Sequence, residues 1–178
     1  MSVRAEEGTC GWRIAWSPNS GQAIVEFAAS VAVLLTLVFG MIDFSRAIYD
    51  VEVMKNLTGE GSAMASRGTN LSDSVTAVVG AASPLDLNVN GRVIVSSVLN
   101  SNNSLKLTGQ ATQGGIVATS KVGTTIGGAA SLPAGAAPQL NQTVFVTEVF
   151  YAYKPITPIG NFLGTTILPS QLYDVAYY

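Results

Sequence analysis

The chain has 178 residues, which is room for one modest domain beside a membrane helix but not for two independent cores. Only 11% of the residues are charged, against about 25% in an ordinary soluble domain, and the net charge is −2. The nine basic residues are scattered singly, so no nucleic-acid partner is expected. The chain contains no histidine, the commonest general base and metal ligand, which argues against an enzyme, a metal site or a bound cofactor.

The first 20 residues are polar, interrupted by glycine and proline, and show no helical period. Arg4 and Arg13 give a weak positive-inside bias, which Glu6 and Glu7 partly offset although acids count little in that rule, so a cytoplasmic N-terminus is favoured. Cys10 is the single cysteine of the chain, so the remainder must fold without disulfides.

Residues 21–46 form the dominant stretch of the sequence. Residues 23–42 number 20, about what a helix rising 1.5 Å per residue needs to cross a hydrocarbon core about 30 Å thick. The apolar run is longer than a signal-peptide core, begins late, and is followed by no small-residue cleavage site. We therefore predict a retained transmembrane helix over residues 22–43, which crosses the lipid bilayer once.

Glu26 lies inside this apolar run, near its start. A carboxylate at the bilayer centre costs roughly 2.5–3.5 kcal/mol on insertion scales, and less near the edge. An acid in the first turn also gains about 0.3–1 kcal/mol from the helix dipole. Two interpretations remain open: the side chain snorkels to the interface, or it pairs with a positive group inside an assembly. A buried ion pair of the second kind can set the register of packed helices.

The helical pattern continues beyond the membrane segment and predicts an amphipathic extension over residues 44–68. One apolar face is formed by residues that recur at spacings of three and four, namely Phe44, Ala47, Ile48, Val51, Met54 and Leu57. The polar remainder is expected to consist of Asp43, Asp50, Glu52 and Lys55. Asp43 is within reach of Arg46, one turn further on. Glycines at 59, 61 and 68 predict an end between residues 59 and 68.

From residue 69 the sequence changes to short pieces typical of a β-rich domain, predicted over residues 69–178. A short helix is predicted over residues 71–82, with Ser72 or Asp73 as its cap. Strands are predicted at residues 92–99, 104–110, 116–119, 143–154 and 172–178. Residues 100–103 form the predicted hairpin turn, and residues 123–142 a Gly/Ala/Pro-rich mobile loop. We predict an α+β fold in which the outer half of the long helix covers a small antiparallel sheet.

The head of the apolar helix resembles a known processing signal. Gly21 and Gln22, followed by Glu26 and Phe27 ahead of the apolar run, resemble the processing site of type IV pilin-like proteins. Such a resemblance implies that a prepilin peptidase cuts between Gly21 and Gln22 and removes a cytoplasmic leader, residues 1–21. The new α-amino group on Gln22 is then a candidate partner for Glu26.

The tail of the same helix resembles one particular family. The run that contains Phe39, Gly40, Asp43, Phe44 and Arg46 resembles the motif ending the membrane helix in TadE-like minor pseudopilins of tight-adherence (Tad/Flp) pili. The Tyr/Pro-rich segment at residues 144–158 is similar to a strand late in that family.

The family resemblance implies a location and a set of partners. It places the helix in the bacterial inner membrane and the β-rich domain in the periplasm, with possible incorporation in an extracellular pilus. It implies a pilin-like role in assembling or priming an adhesive pilus, with a prepilin peptidase, other pilins or pseudopilins, and an inner-membrane assembly platform as partners. The alternative is an unprocessed single-pass anchor whose periplasmic domain binds a partner or a carbohydrate.

Overall fold

The computed structural model describes residues 19–132, 135–136, 138–158 and 169–178. Residues 1–18 of the predicted leader, with Arg4, Cys10 and Arg13, lie outside the described residues. The chain divides into two compact units, Met1–Val38 and Phe39–Tyr178. Helix α1, Asn19–Ser66, is 48 residues long and ends between the two glycines at 59 and 68, as predicted.

Within the first unit, α1 is a single apolar helix. By length and composition it could cross a membrane, and none of its most apolar window is buried by the rest of the protein. Ser30 and Thr36 donate their hydroxyls to the carbonyls of Glu26 and Ala32, at 2.9 and 2.8 Å. Because both hydroxyls are satisfied within the helix, neither presents an unpaired polar group to an apolar surrounding.

The second unit contains a four-stranded antiparallel sheet, which confirms the predicted fold class. Its spatial order is β2-β1-β3-β4. The strands are β1, Gly91–Ser101; β2, Ser104–Gly114; β3, Thr143–Ala152; and β4, Gln171–Tyr177. Asn102 and Asn103, with φ of 53° and 59°, make the tight turn between β1 and β2 inside the predicted hairpin segment.

One predicted strand is wrong. Residues 116–119 are irregular, and Val117 is 95% exposed. Strand β2 instead continues to Gly114, whose φ of 143° suits glycine, and the Gly115 amide then bonds the carbonyl of Gly91 at 2.9 Å. This turn ends the pairing with β1 before the short apolar run begins.

Two short helices precede β1. Helix α2, Leu71–Gly80, is capped by Asn70, whose side chain accepts from the Ser72 amide at 3.4 Å. The prediction of Ser72 or Asp73 as the cap was therefore wrong, because the helix begins at Leu71 and both residues lie inside its first turn. Helix α3, Leu87–Asn90, is a single turn capped by Asp86 and leads directly into β1.

Helices cover one face of the sheet, as predicted. The core on this face joins the outer half of α1 to α2 and to the central strands. Its members include Ala47, Met54, Leu57 and Ala65 of α1, Val75 and Val78 of α2, and Val93, Val95 and Val149 of the sheet.

The opposite face of the sheet is covered by the loop that follows β2. Val122 packs there against Val98, Leu107 and Val146. The predicted loop at residues 123–142 contains one isolated bridge, between Lys106 and Ala129, and three further backbone bonds tie residues 127–130 to β2. Part of the predicted mobile loop is therefore held against the sheet.

The predicted apolar face of α1 is only partly correct. Ala47, Met54 and Leu57 are buried as expected, but Phe44 and Ile48 are 57% and 55% exposed. Asp43 and Asp50, predicted on the polar side, are buried. The reason is that α1 packs against the rest of the unit through the line of residues 43, 47, 50, 54 and 57. The segment after β3 supplies hydrogen-bond partners to Asp43 there.

Candidate functional site

The predicted processing and registry residues lie together at the head of α1. Gly21, Gln22, Glu26 and Phe27 are all helical and exposed. Gln22 and Glu26 are four positions apart, so they share one face of the helix and are separated by about 6 Å along its axis. A Cβ placed on Gly21 would meet no atom within 4 Å. The described protein therefore leaves this end of the helix free to contact other molecules.

Asp43 is the residue of the predicted membrane-exit motif (Phe39, Gly40, Asp43, Phe44 and Arg46) that makes the most hydrogen bonds to the rest of the fold. Its carboxylate accepts from the backbone amides of Ile156 at 3.0 Å and Thr157 at 3.3 Å, and from the Thr157 hydroxyl at 2.5 Å. Its main-chain carbonyl accepts from the Tyr153 hydroxyl at 2.7 Å. Asp43 thus fastens α1 to the segment that leaves β3.

These bonds join two parts of the sequence that lie far apart in the chain. The membrane-exit motif and the Tyr/Pro-rich segment are more than 100 residues apart in the chain, and they meet at Asp43 and Tyr153. Burial raises the pKa of Tyr153, and the charges of Asp43 and Asp50 act in the same direction. The Tyr153 hydroxyl therefore keeps its proton and remains a donor.

Asp50 lies two turns beyond Asp43 on the same side of α1. It is 3% exposed, and its Oδ2 has no hydrogen-bond partner among the described residues. Burial raises the pKa of Asp50, and the positive charge of Arg46 opposes that effect. Burial also raises the pKa of the neighbouring Tyr151, with the charge of Asp50 as the second cause.

The remaining residues of the motif have different environments. Within the described chain no ion pair joins Asp43 to Arg46, whose side chain is exposed. Phe39 is half-buried, and a Cβ on Gly40 would meet nothing within 4 Å. Phe44 lines a shallow apolar groove of about 250 Å³. The groove is shared by Phe44, Ala47, Ile48, Val51, Pro169 and Leu172, with Glu52 and Lys55 at its side.

Gly61 is a structural residue whose role the sequence did not reveal. A Cβ at this position would lie 2.8 Å from Val78 Cγ2 and 2.9 Å from both Thr147 Cγ2 and Thr147 Oγ1. The absence of a side chain lets α1 approach both α2 and β3. A glycine inside a helix costs about 1 kcal/mol of stability relative to alanine. The presence of a glycine in spite of this cost was the one feature of the sequence that could have indicated a packing role for Gly61.

Thr58 connects α1 to the edge strand β4. Its hydroxyl donates to Asp174 Oδ2 at 2.6 Å, and the Thr58 side chain is fully buried. The bond fixes the position of β4 along the helix, and it was not predicted because the two residues are 116 positions apart.

Glu148 also joins distant segments through hydrogen bonds, on the other face of the sheet. This fully buried carboxylate accepts from the Ser120 hydroxyl, from the Lys121 amide at 2.8 Å and from the Tyr173 hydroxyl at 3.0 Å. Burial and the nearby charge of Glu148 raise the pKa of Tyr173. The Lys121 ammonium lies 3.4 Å from the centre of the Tyr173 ring. A lone glutamate in a strand pattern carries no signal that would predict this cluster.

Together, the apolar helix and the sheet define an α+β protein whose single long apolar helix, among the described residues, is compatible with a single-pass membrane anchor. A family model described as TadE-like protein matches residues 21–62 of this chain. The match covers the helix from Gly21 through the membrane-exit motif and confirms the expected TadE-like resemblance, which is consistent with a protein of Tad pilus systems. No curated protein and no solved structure matches the chain.

Proposed function

We propose that the chain is a minor pseudopilin needed to assemble or prime a Tad/Flp-type adhesive pilus. The observation that carries the proposal is the TadE-like match over residues 21–62, which includes the predicted cut site, Glu26 and the membrane-exit motif. The apolar, unburied helix between these motifs supports a single-pass anchor that can also contact other pilin-like helices.

The proposal includes processing and orientation. A prepilin peptidase cuts between Gly21 and Gln22 on the cytoplasmic side of the inner membrane, and residues 69–178 lie in the periplasm. The inner-membrane assembly platform then moves the subunit toward other pilins. The new ammonium on Gln22 is available to Glu26 of a neighbouring helix, where an ion pair of low solvent exposure would set the register.

The second unit has contacts suited to this use. A subunit that is moved through its helix must transmit force to its domain without unfolding. Three positions along α1 make these contacts. Asp43 bonds to the loop after β3, and Thr58 bonds to β4. Gly61 packs closely against α2 and β3. The outer half of α1 and the sheet therefore form one connected unit.

Processing is tested by the intact mass of the membrane-purified chain, with and without a co-expressed prepilin peptidase. We expect the peptidase to remove residues 1–21 in most of the protein. Gly21→Leu should abolish the cut, whereas Gly40→Leu should not, although both glycines face open space and neither change disturbs the fold. An uncut wild-type chain beside a peptidase that processes a control pilin would refute the proposed processing and favour the unprocessed anchor.

The role of Glu26 is tested separately. Glu26→Ala and Glu26→Gln are expected to leave insertion and cleavage unchanged, because the side chain is exposed and its backbone carbonyl still accepts from Ser30. Incorporation into the pilus machinery should fall at least tenfold, measured by co-purification with the other pilins. Ser30→Ala is the matched control on the same helix. If both Glu26 variants assemble like the wild type, the side chain only snorkels to the interface.

A further inference from the structure

Among the described residues, the two edges of the sheet are protected unequally. The outer edge of β2 is covered where Leu107 exchanges backbone bonds with Gly127 and Gly128, and where the Ala130 amide bonds the Leu105 carbonyl. It also carries Lys106, a residue type that discourages pairing with foreign strands. Strand β4 has no lysine or proline, and its single charge, Asp174, accepts the Thr58 hydroxyl.

The backbone of β4 has an outward-facing row of donors and acceptors. Phe145 and Tyr178 exchange both backbone bonds, at 3.0 and 2.9 Å. Hydrogen-bonded pairs alternate with non-hydrogen-bonded pairs along an antiparallel ladder. Counting from Tyr178, the β4 residues that exchange backbone bonds with β3 are therefore Ala176, Asp174 and Leu172. The amides and carbonyls of Tyr173 and Val175 therefore point away from β3, and no described residue bonds to them.

An apolar groove runs beside the same edge. It lies between α1 and the start of β4 and is lined by Phe44, Ile48, Val51 and Leu172. A side chain opposite Leu172 on an added strand would enter this groove, since directly opposed residues have Cβ atoms about 5 Å apart. Two positions along, the next side chain on that face would lie opposite Asp174, where a basic residue is favoured.

We propose that β4 is a docking edge for an extended segment of a partner protein, which adds antiparallel to β4 as a fifth strand. Its backbone bonds to Tyr173 and Val175, an apolar side chain fills the groove beside Leu172, and a basic side chain faces Asp174. The partner is thus a strand of the pattern basic–x–apolar, recognised by main-chain bonds and one pocket. This surface lies in the domain and is independent of processing at Gly21, so each proposal can fail without the other.

The probe is the blocked hexapeptide TVKVLT, in which the leucine meets Leu172, the lysine meets Asp174 and the two valines face Val175 and Tyr173. Hydrogen exchange is followed in the full chain, reconstituted in nanodiscs. In the free protein the Tyr173 and Val175 amides should exchange at least tenfold faster than those of Leu172, Asp174 and Ala176. Saturating peptide should slow the two outward amides at least tenfold.

Two controls separate strand addition from other binding. N-methylation of the two valines removes the amides that pair with β4 and should abolish protection, whereas N-methylation of the lysine and leucine should not. Val175→Pro removes one outward amide and should prevent binding while the bonds to β3 remain, and the methylated peptides keep the test decisive if that variant does not fold.

Three results would overturn the proposal. Slow exchange of the Tyr173 and Val175 amides in the dilute, peptide-free monomer would mean that the chain covers its own edge. Protection that rises with protein concentration together with a doubled mass would show a second copy on β4. Equal effects of the two methylated peptides would show that backbone pairing is not involved.

Discussion

Gly61→Ala is expected to destabilise the domain by up to about 2 kcal/mol, although alanine is the better helix former. The added methyl group would lie 2.8 Å from Val78 Cγ2 and 2.9 Å from two atoms of Thr147. Overpacking of this kind typically costs about 1–3 kcal/mol, and the helix propensity of alanine returns about 1 kcal/mol. The measurement is the free energy of unfolding in urea of the full chain in nanodiscs, followed by circular dichroism.

Gly59→Ala is the matched control for this prediction. It lies in the same helix two positions away, and its Cβ would meet no atom within 4 Å. We expect Gly59→Ala to stabilise the domain by about 0.5–1 kcal/mol, because only the helix propensity of the residue changes. In a Thr147→Ala background the cost of Gly61→Ala should shrink, since two of its three close contacts are gone. Equal effects at positions 59 and 61 would show that α1 does not depend on this close approach.

Asp43→Ala is expected to destabilise the domain by about 2–4 kcal/mol. The change removes an acceptor shared by two backbone amides and a hydroxyl, in a place where water does not replace it readily. Leaving one buried donor without its partner costs about 1–3 kcal/mol. Hydrogen exchange of the Ile156 amide should accelerate by at least tenfold, because its bond to Asp43 Oδ1 is lost.

Two further variants define the cause of that loss. Asp43→Asn keeps the size of the side chain and one carbonyl acceptor, so its cost should be smaller than that of alanine. Glu52→Ala, on the same helix, removes only an exposed ion pair with Lys55 at 3.6 Å and should change stability by less than about 0.5 kcal/mol. If Asp43→Ala behaves like Glu52→Ala, the bonds to residues 156–157 do not hold α1 to the domain.

The sequence was informative where a pattern is local. The apolar run, the end of α1 among the glycines, the hairpin at residues 100–103 and the long β3 depend on neighbouring residues, and all were predicted correctly. The part of the TadE-like resemblance that lies in α1 also depends on a contiguous stretch, and the family match at residues 21–62 covers it, whereas the likeness expected at residues 144–158 stays a prediction. The error at residues 116–119 arose because a short apolar run by itself does not show whether the preceding glycines permit pairing.

Local patterns in the sequence were enough to predict the long apolar helix, which by length and composition could span a membrane, and a small antiparallel sheet, both of which the described residues form. Helical and strand periods encode both, because they specify which side chains share a face. Three features follow only from the folded chain: Asp43 and Asp50 face inward, Gly61 is a point of close approach, and β4 has an open edge among the described residues. Each of these features depends on contacts between residues that are distant in the chain, such as Tyr153, Thr147 and Asp174. The periodicity of neighbouring residues cannot predict such contacts.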